Sequence, residues 1–142
     1  MNLKVSEIAE MCGGRLVGSG ENTVTSFYTD SRETTPGKMF VPIRGENTDA
    51  HRFIPQVFAS GAAATFSEEP LDAPAGDVVY VENTRAALQK VAESYRERFN
   101  IPVIGITGSV GKTTTKEMVA LAVSAGLKTM KTAGNANSQI GL

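Results

Sequence analysis

The clearest chemistry in this sequence lies between residues 107 and 115. There Gly108-Ser109-Val110-Gly111-Lys112-Thr113-Thr114 sets two glycines, a lysine and hydroxyl side chains in one short run. Glycines let backbone amides curl around phosphate oxygens where a Cβ would stand in the way. A helix starting at the lysine adds unpaired N–H groups and the positive end of its dipole. Lys112 then supplies a mobile cation for the β- and γ-phosphates, and Thr113 a hydroxyl ligand for Mg²⁺. Gly108, Ser109, Val110, Gly111, Lys112, Thr113 and Thr114 are the expected nucleotide cradle, with Lys112 as its catalytic cation. The full eight-residue loop has glycine where Ile106 stands, so only the tighter Gly-x-x-Gly-Lys-Thr core is present. An ordinary glycine turn stays open as the alternative reading.

Other reactive types are sparse. His51 is the single histidine and Cys12 the single cysteine. His51 reads as a helix-start residue making local hydrogen bonds. Cys12 follows Ile8 and Met11 at helical spacing, as a small core residue does. Glu68-Glu69 sits in a proline-containing stretch and reads as a solvated loop. Asp30 and Arg32 are spaced for a surface ion pair at a turn, worth little by itself. Asn135 and Asn137 are residues that cap turns.

These residues need elements to hold them. Ser6 is positioned to cap a short helix carrying Ile8, Met11 and Cys12, ended by Gly13-Gly14. Strand-like runs follow at Arg15-Leu16-Val17, 24–29 and 39–43. A helix is expected from about Ala50 to Ser60, then a buried strand over Ala62-Ala63-Ala64-Thr65-Phe66, a loop over 67–76 and a strand at 78–81. Thr84 reads as the cap of a helix with Ala87, Leu88, Val91, Ala92, Tyr95 and Phe99 on its apolar face. Tyr95 and Phe99 are expected in the core. Asn100-Ile101-Pro102 breaks that helix and divides the chain into domains 1–100 and 101–142. Pro102-Val103-Ile104-Gly105-Ile106-Thr107 is apolar and β-branched, as a buried parallel strand requires. The predicted class is α/β: a small α/β domain, then a strand, phosphate loop and helix opening a second domain.

Several segments together resemble the Mur ligase family. Residues 107–115 resemble that family's ATP loop, with Val110 where asparagine or a small residue is usual. Thr29-Asp30-Ser31-Arg32 with Pro36-Gly37-Lys38-Met39-Phe40-Val41 resembles a signature of the N-terminal domain in two of its branches. The stretch from Gly45 to Ile54, with Asp49-Ala50-His51-Arg52-Phe53, resembles the one that follows, Ala50 replacing a usual glycine. Lys116-Glu117-Met118 and Gly134-Asn135-Ala136-Asn137-Ser138-Gln139-Ile140-Gly141 resemble the MurF-type branch, with Ser138 in place of an asparagine.

The resemblance implies an N-terminal domain holding the UDP end of a precursor, with Ser31 and Arg32 lining the uridine site and Asn135 and Asn137 touching substrate. It implies ATP and Mg²⁺ as cofactors, and UDP-MurNAc-tripeptide and D-Ala-D-Ala as substrates in peptidoglycan synthesis. The implied reaction phosphorylates the tripeptide's terminal carboxylate, and the amine of D-Ala-D-Ala then displaces phosphate. Later parts of the family's pattern do not occur before Leu142, so a partial polypeptide, inactive alone, is expected. A MurE-type ligase, a non-catalytic module binding UDP-muramoyl peptides and a general phosphate-loop NTPase remain open.

Bulk properties exclude other classes. A net charge of −1 lacks the basic surplus of a duplex-binding domain. No run approaches the roughly 18 apolar residues of a membrane span, and no signal peptide opens the chain. On this reading the protein is cytoplasmic, with neither nucleic acid nor membrane insertion expected.

Overall fold

The computed structural model describes residues 1–33, 35–45 and 48–132. It divides into two compact units, Met1–Phe99 and Asn100–Leu142. Asn135 and Asn137 lie outside the described residues.

The first unit begins with β1 (Leu3–Lys4) and α1 (Val5–Cys12). The helix starts two residues earlier than a Ser6 cap allows. Glu7 reaches back to accept the Lys4 N–H at 2.9 Å, and Val5, fully buried, is already helical. Gly13 ends α1 at φ 68°, a conformation that suits glycine. Next come β2 (Arg15–Val17), β3 (Thr23–Val24), β4 (Ser26–Tyr28) and β5 (Lys38–Phe40). The single run expected over 24–29 is therefore two strands in different sheets: β3 pairs with β1, β4 with β5. A 3-10 turn at Ala50–Phe53 leads into α2 (Ile54–Ala59), whose first turn contains Pro55. The unit closes with β6 (Ala64–Ser67), β7 (Asp77–Tyr80) and α3 (Thr84–Glu97).

The main sheet has the order β2-β7-β6-β5-β4. β4, β5, β6 and β7 run parallel and β2 antiparallel at one edge. Side chains alternate between faces, as the pleat dictates. Met39, Val41, Ala64, Phe66 and Val79 meet Ile8 and Cys12 of α1 and Ala87 and Val91 of α3. Phe40 points to the opposite face, where it packs with Tyr28, Ile54 and Val57 of α2. Helices thus cover both faces of a mainly parallel sheet, an α/β architecture. Cys12 is a buried free thiol, and burial pushes its pKa up.

Two helix-end assignments differ from the sequence reading. Asn83, not Thr84, caps α3: its side chain accepts the Ala86 N–H at 2.8 Å. Thr84 is instead buried and donates its hydroxyl proton to the Pro42 carbonyl at 2.6 Å. Phe99 is not core but 43% exposed. α3 stops at Glu97, so Phe99 leaves the helical repeat and stacks edge-on against Tyr95.

In the second unit, residues 101–107 form no strand among the described residues, and Val103 and Ile104 are exposed. A strand exists only where its backbone finds a partner, and no described segment pairs with this one. α4 (Lys112–Ser124) follows directly after the glycine loop.

Candidate functional site

The loop between Gly108 and Thr114 is built by two glycine conformations. Gly108 has φ 153° and Gly111 φ 77°, both in the region L-residues avoid. Gly111 caps α4, and its carbonyl accepts the Thr115 N–H at 2.9 Å. A Cβ added at Gly111 would meet nothing within 4 Å, so the space beside this glycine is open. Lys112 curls its ammonium back onto the Gly108 carbonyl at 2.6 Å, which brings the cation to the loop's rim. Thr113 and Thr114 sit in the first turn of α4. Two glycines at positive φ, a helix N-terminus and a cation stand together here, features that favour an anion. A larger cleft of about 420 Å³ runs along α4, lined by Glu117, Met118, Leu121 and Lys131 among others, none of them in the loop.

In the first unit, four parallel strands deliver their C-terminal ends to one edge of the sheet, where open α/β sheets bind ligands. After β4 comes a 3-10 turn at Ser31–Glu33. Asp30 is locked to Arg32: its carboxylate accepts from the Arg32 backbone N–H at 3.0 Å and from Nε at 2.8 Å. The guanidinium bond chiefly, and the backbone bond after it, hold the Asp30 carboxyl down at about 2. Ser31 is half-buried and Arg32 exposed at this edge.

After β5 comes Arg44, whose Nε lies 3.0 Å from Asp49 and 3.2 Å from Glu68 and whose guanidinium also pairs with Glu69. Asp49 accepts the His51 N–H at 2.9 Å and contacts His51 Nδ1 at 2.6 Å. Burial works against the Asp49 charge, but the His51 backbone and ring outweigh it and keep its carboxyl below the usual range. His51 is buried and accepts the Glu68 N–H on Nε2 at 3.1 Å. That bond leaves the ring proton on Nδ1, facing Asp49.

Glu68 corrects the sequence reading. It is no solvated loop acid: its side chain is 12% exposed and accepts the Thr84 N–H at 2.9 Å. Glu69, at 60% exposure, does fit that reading. Arg44, Glu68 and Thr84 were not legible as a group, because they lie far apart in sequence and share no motif. The available signal was position, since Arg44 and Glu68 each follow a parallel strand and Thr84 opens the helix after another. Together with Ile43, Asn83 and Arg85 they line a cavity of about 190 Å³.

The comparisons match both units. The Mur ligase family catalytic domain matches residues 23–106, and the Mur ligase middle domain residues 106–142. The chain belongs to the Mur ligase family. It is similar to the UDP-N-acetylmuramoyl-tripeptide–D-alanyl-D-alanine ligase of Synechocystis sp., 42% identical over 121 residues, covering 84% of this chain and 27% of that relative. It is similar in structure to MurF from Acinetobacter baumannii, at TM-score 0.92 and 33% identity over 99% of this chain and 32% of that one. A MurF ligase from Thermotoga maritima in complex with ADP matches 82% of this chain and 27% of its own, at TM-score 0.74 and 33% identity. This Mur ligase chain therefore spans about a third or less of the length of the relatives it matches.

Proposed function

We propose that this chain supplies the precursor-binding and nucleotide-binding parts of an ATP-dependent ligase that adds D-alanyl-D-alanine to UDP-MurNAc-tripeptide. The observation that carries the reading is the open glycine loop on the N-terminus of α4, in a chain whose relatives bear that ligase's name. The ADP complex of the Thermotoga relative supports ATP as the nucleotide.

ATP, when bound, supplies the phosphoryl group that activates the precursor's carboxylate for attack by an amine. The chain's own residues do the rest of the work assigned here. The amides of Gly108, Ser109, Val110 and Gly111 orient the phosphates, and the helix N-terminus favours their charge. Lys112 leaves the Gly108 carbonyl and stabilises charge that builds on the transferring group. Thr113 is the residue that would hold Mg²⁺, whose charge would offset that of the phosphates, and Thr114 extends the first turn of the cradle. Ser31 and Arg32, at the C-terminal edge of the sheet, contact the uridine end of the precursor. Asn135 and Asn137 are proposed substrate contacts by resemblance alone.

The test places this chain in the matching segment of the Synechocystis ligase and follows amide formation. Lys112→Ala is expected to lower turnover on the order of 10²–10³-fold, as the loss of one preorganised donor does elsewhere. Turnover within a few-fold of the unsubstituted chimera would contradict the role given to Lys112.

A further inference from the structure

The C-terminal edge of the sheet holds a half-buried carboxylate that neither the phosphate loop nor the turn at Ser31 uses. Glu68 follows β6 directly and is tied in three directions. One carboxylate oxygen accepts the Thr84 N–H at 2.9 Å, at the start of α3. The other lies 3.2 Å from Arg44 Nε, in the segment leaving β5. Its backbone N–H donates to His51 Nε2 at 3.1 Å, in the turn before α2. The Thr84 hydroxyl also lies 3.2 Å from Glu68, but its one proton goes to the Pro42 carbonyl at 2.6 Å. The Thr84 amide is therefore the bond that fixes the carboxylate to the helix.

Arg44 does not depend on Glu68 alone, since Asp49 and Glu69 also hold it. The Thr84 amide has no such second partner among the bonds described. Two segments that line the cavity of about 190 Å³, at Arg44 and at Thr84, thus meet at the Glu68 side chain. A binding site works when its walls are held to within about half an ångström, and that precision comes from neighbours that never touch the ligand.

We propose that Glu68 is a positioning residue for the uridine-diphosphate end of the precursor, its side chain setting the exits of β5 and β7 in register. This rests on the reading of the first unit as the precursor-binding part. Glu68 itself makes no contact with the ligand on this account. Its side chain acts through the Thr84 amide and the Arg44 guanidinium.

UDP binding to the 142-residue chain, measured by calorimetry, tests it. Glu68→Ala removes both side-chain ties and is expected to weaken UDP binding at least about tenfold while circular dichroism shows a folded chain. Glu68→Gln keeps an oxygen for the Thr84 amide, and Arg44 keeps its two other carboxylates. That variant is expected to bind within about threefold of the unsubstituted chain, a rescue that bulk loss of stability would not produce. A folded Glu68→Ala chain that binds UDP as tightly as the parent overturns the proposal. So does Glu68→Gln binding as weakly as Glu68→Ala. An unsubstituted chain that does not bind UDP overturns the precursor-binding reading beneath it and this proposal together.

Discussion

His51 is the single histidine, so its ring can be followed without ambiguity in the whole chain. Nε2 accepts the Glu68 N–H and Nδ1 faces Asp49, an arrangement that admits only the Nδ1–H form of the neutral ring. Long-range ¹H–¹⁵N spectra at neutral pH should show that tautomer, and a dominant Nε2–H signal would contradict the network. Asp30 offers a second check. Its carboxyl is held at about 2 by the Arg32 guanidinium and backbone N–H, well below the roughly 3.9 of an unfolded aspartate. A depressed carboxylate contributes stability that is present above the unfolded value and lost as pH falls through the folded one. Here that window runs from about pH 4 down to about 2. A ¹³C titration of the Asp30 carboxyl should have its midpoint near 2, and Arg32→Ala should raise it toward, but not to, the ordinary value. The backbone N–H of residue 32 survives that substitution, and an unmoved midpoint would show that the guanidinium does nothing. Of these groups the sequence disclosed Asp30 and Arg32 by spacing and His51 by type. Glu68 escaped it because an acid beside Pro70 looks like surface until the strands place it.

The strands of the first unit were legible because short, largely apolar runs of three to six residues stand between turn residues. Phe66 shows what that pattern is for. It is fully buried on the central strand β6, and its ring lies parallel to Phe27 at 6.3 Å. Phe66→Ala is expected to cost about 3–5 kcal/mol. A domain of this kind has roughly 5–15 kcal/mol in all, so urea unfolding of the first unit should move to a much lower midpoint. A loss below about 1 kcal/mol would mean the sheet does not carry the core described. Helix ends were read less well than helix faces. Thr84 has a capping side chain by type, yet the neighbouring Asn83 reaches the Ala86 amide and Thr84 turns inward to Pro42. Which of two adjacent polar residues caps depends on where the next strand lies, and a local pattern does not contain that. The run at 102–107 failed for a related reason: it has a strand's composition but no described segment to pair with.

The two units differ in how they are held together. The first closes a core on both faces of its sheet, whereas α4 buries no residue and leaves Met118 and Leu121 exposed. Their shared content is the set of motifs along the whole chain, and those motifs made the family legible where geometry alone would have given only an α/β sheet and a glycine loop. On the proposed function, precursor recognition belongs to the parallel edge of one unit and nucleotide recognition to the helix N-terminus of the other. The proposed ligase releases phosphate only when a carboxylate is present to receive it from ATP and an amine to displace it. The direct test is phosphate release by the Synechocystis ligase carrying this chain in its matching segment. Release above background is expected only when UDP-MurNAc-tripeptide and D-alanyl-D-alanine are both present with ATP. Equal release with ATP alone would make the glycine loop that of a general nucleotide hydrolase and contradict the ligase account.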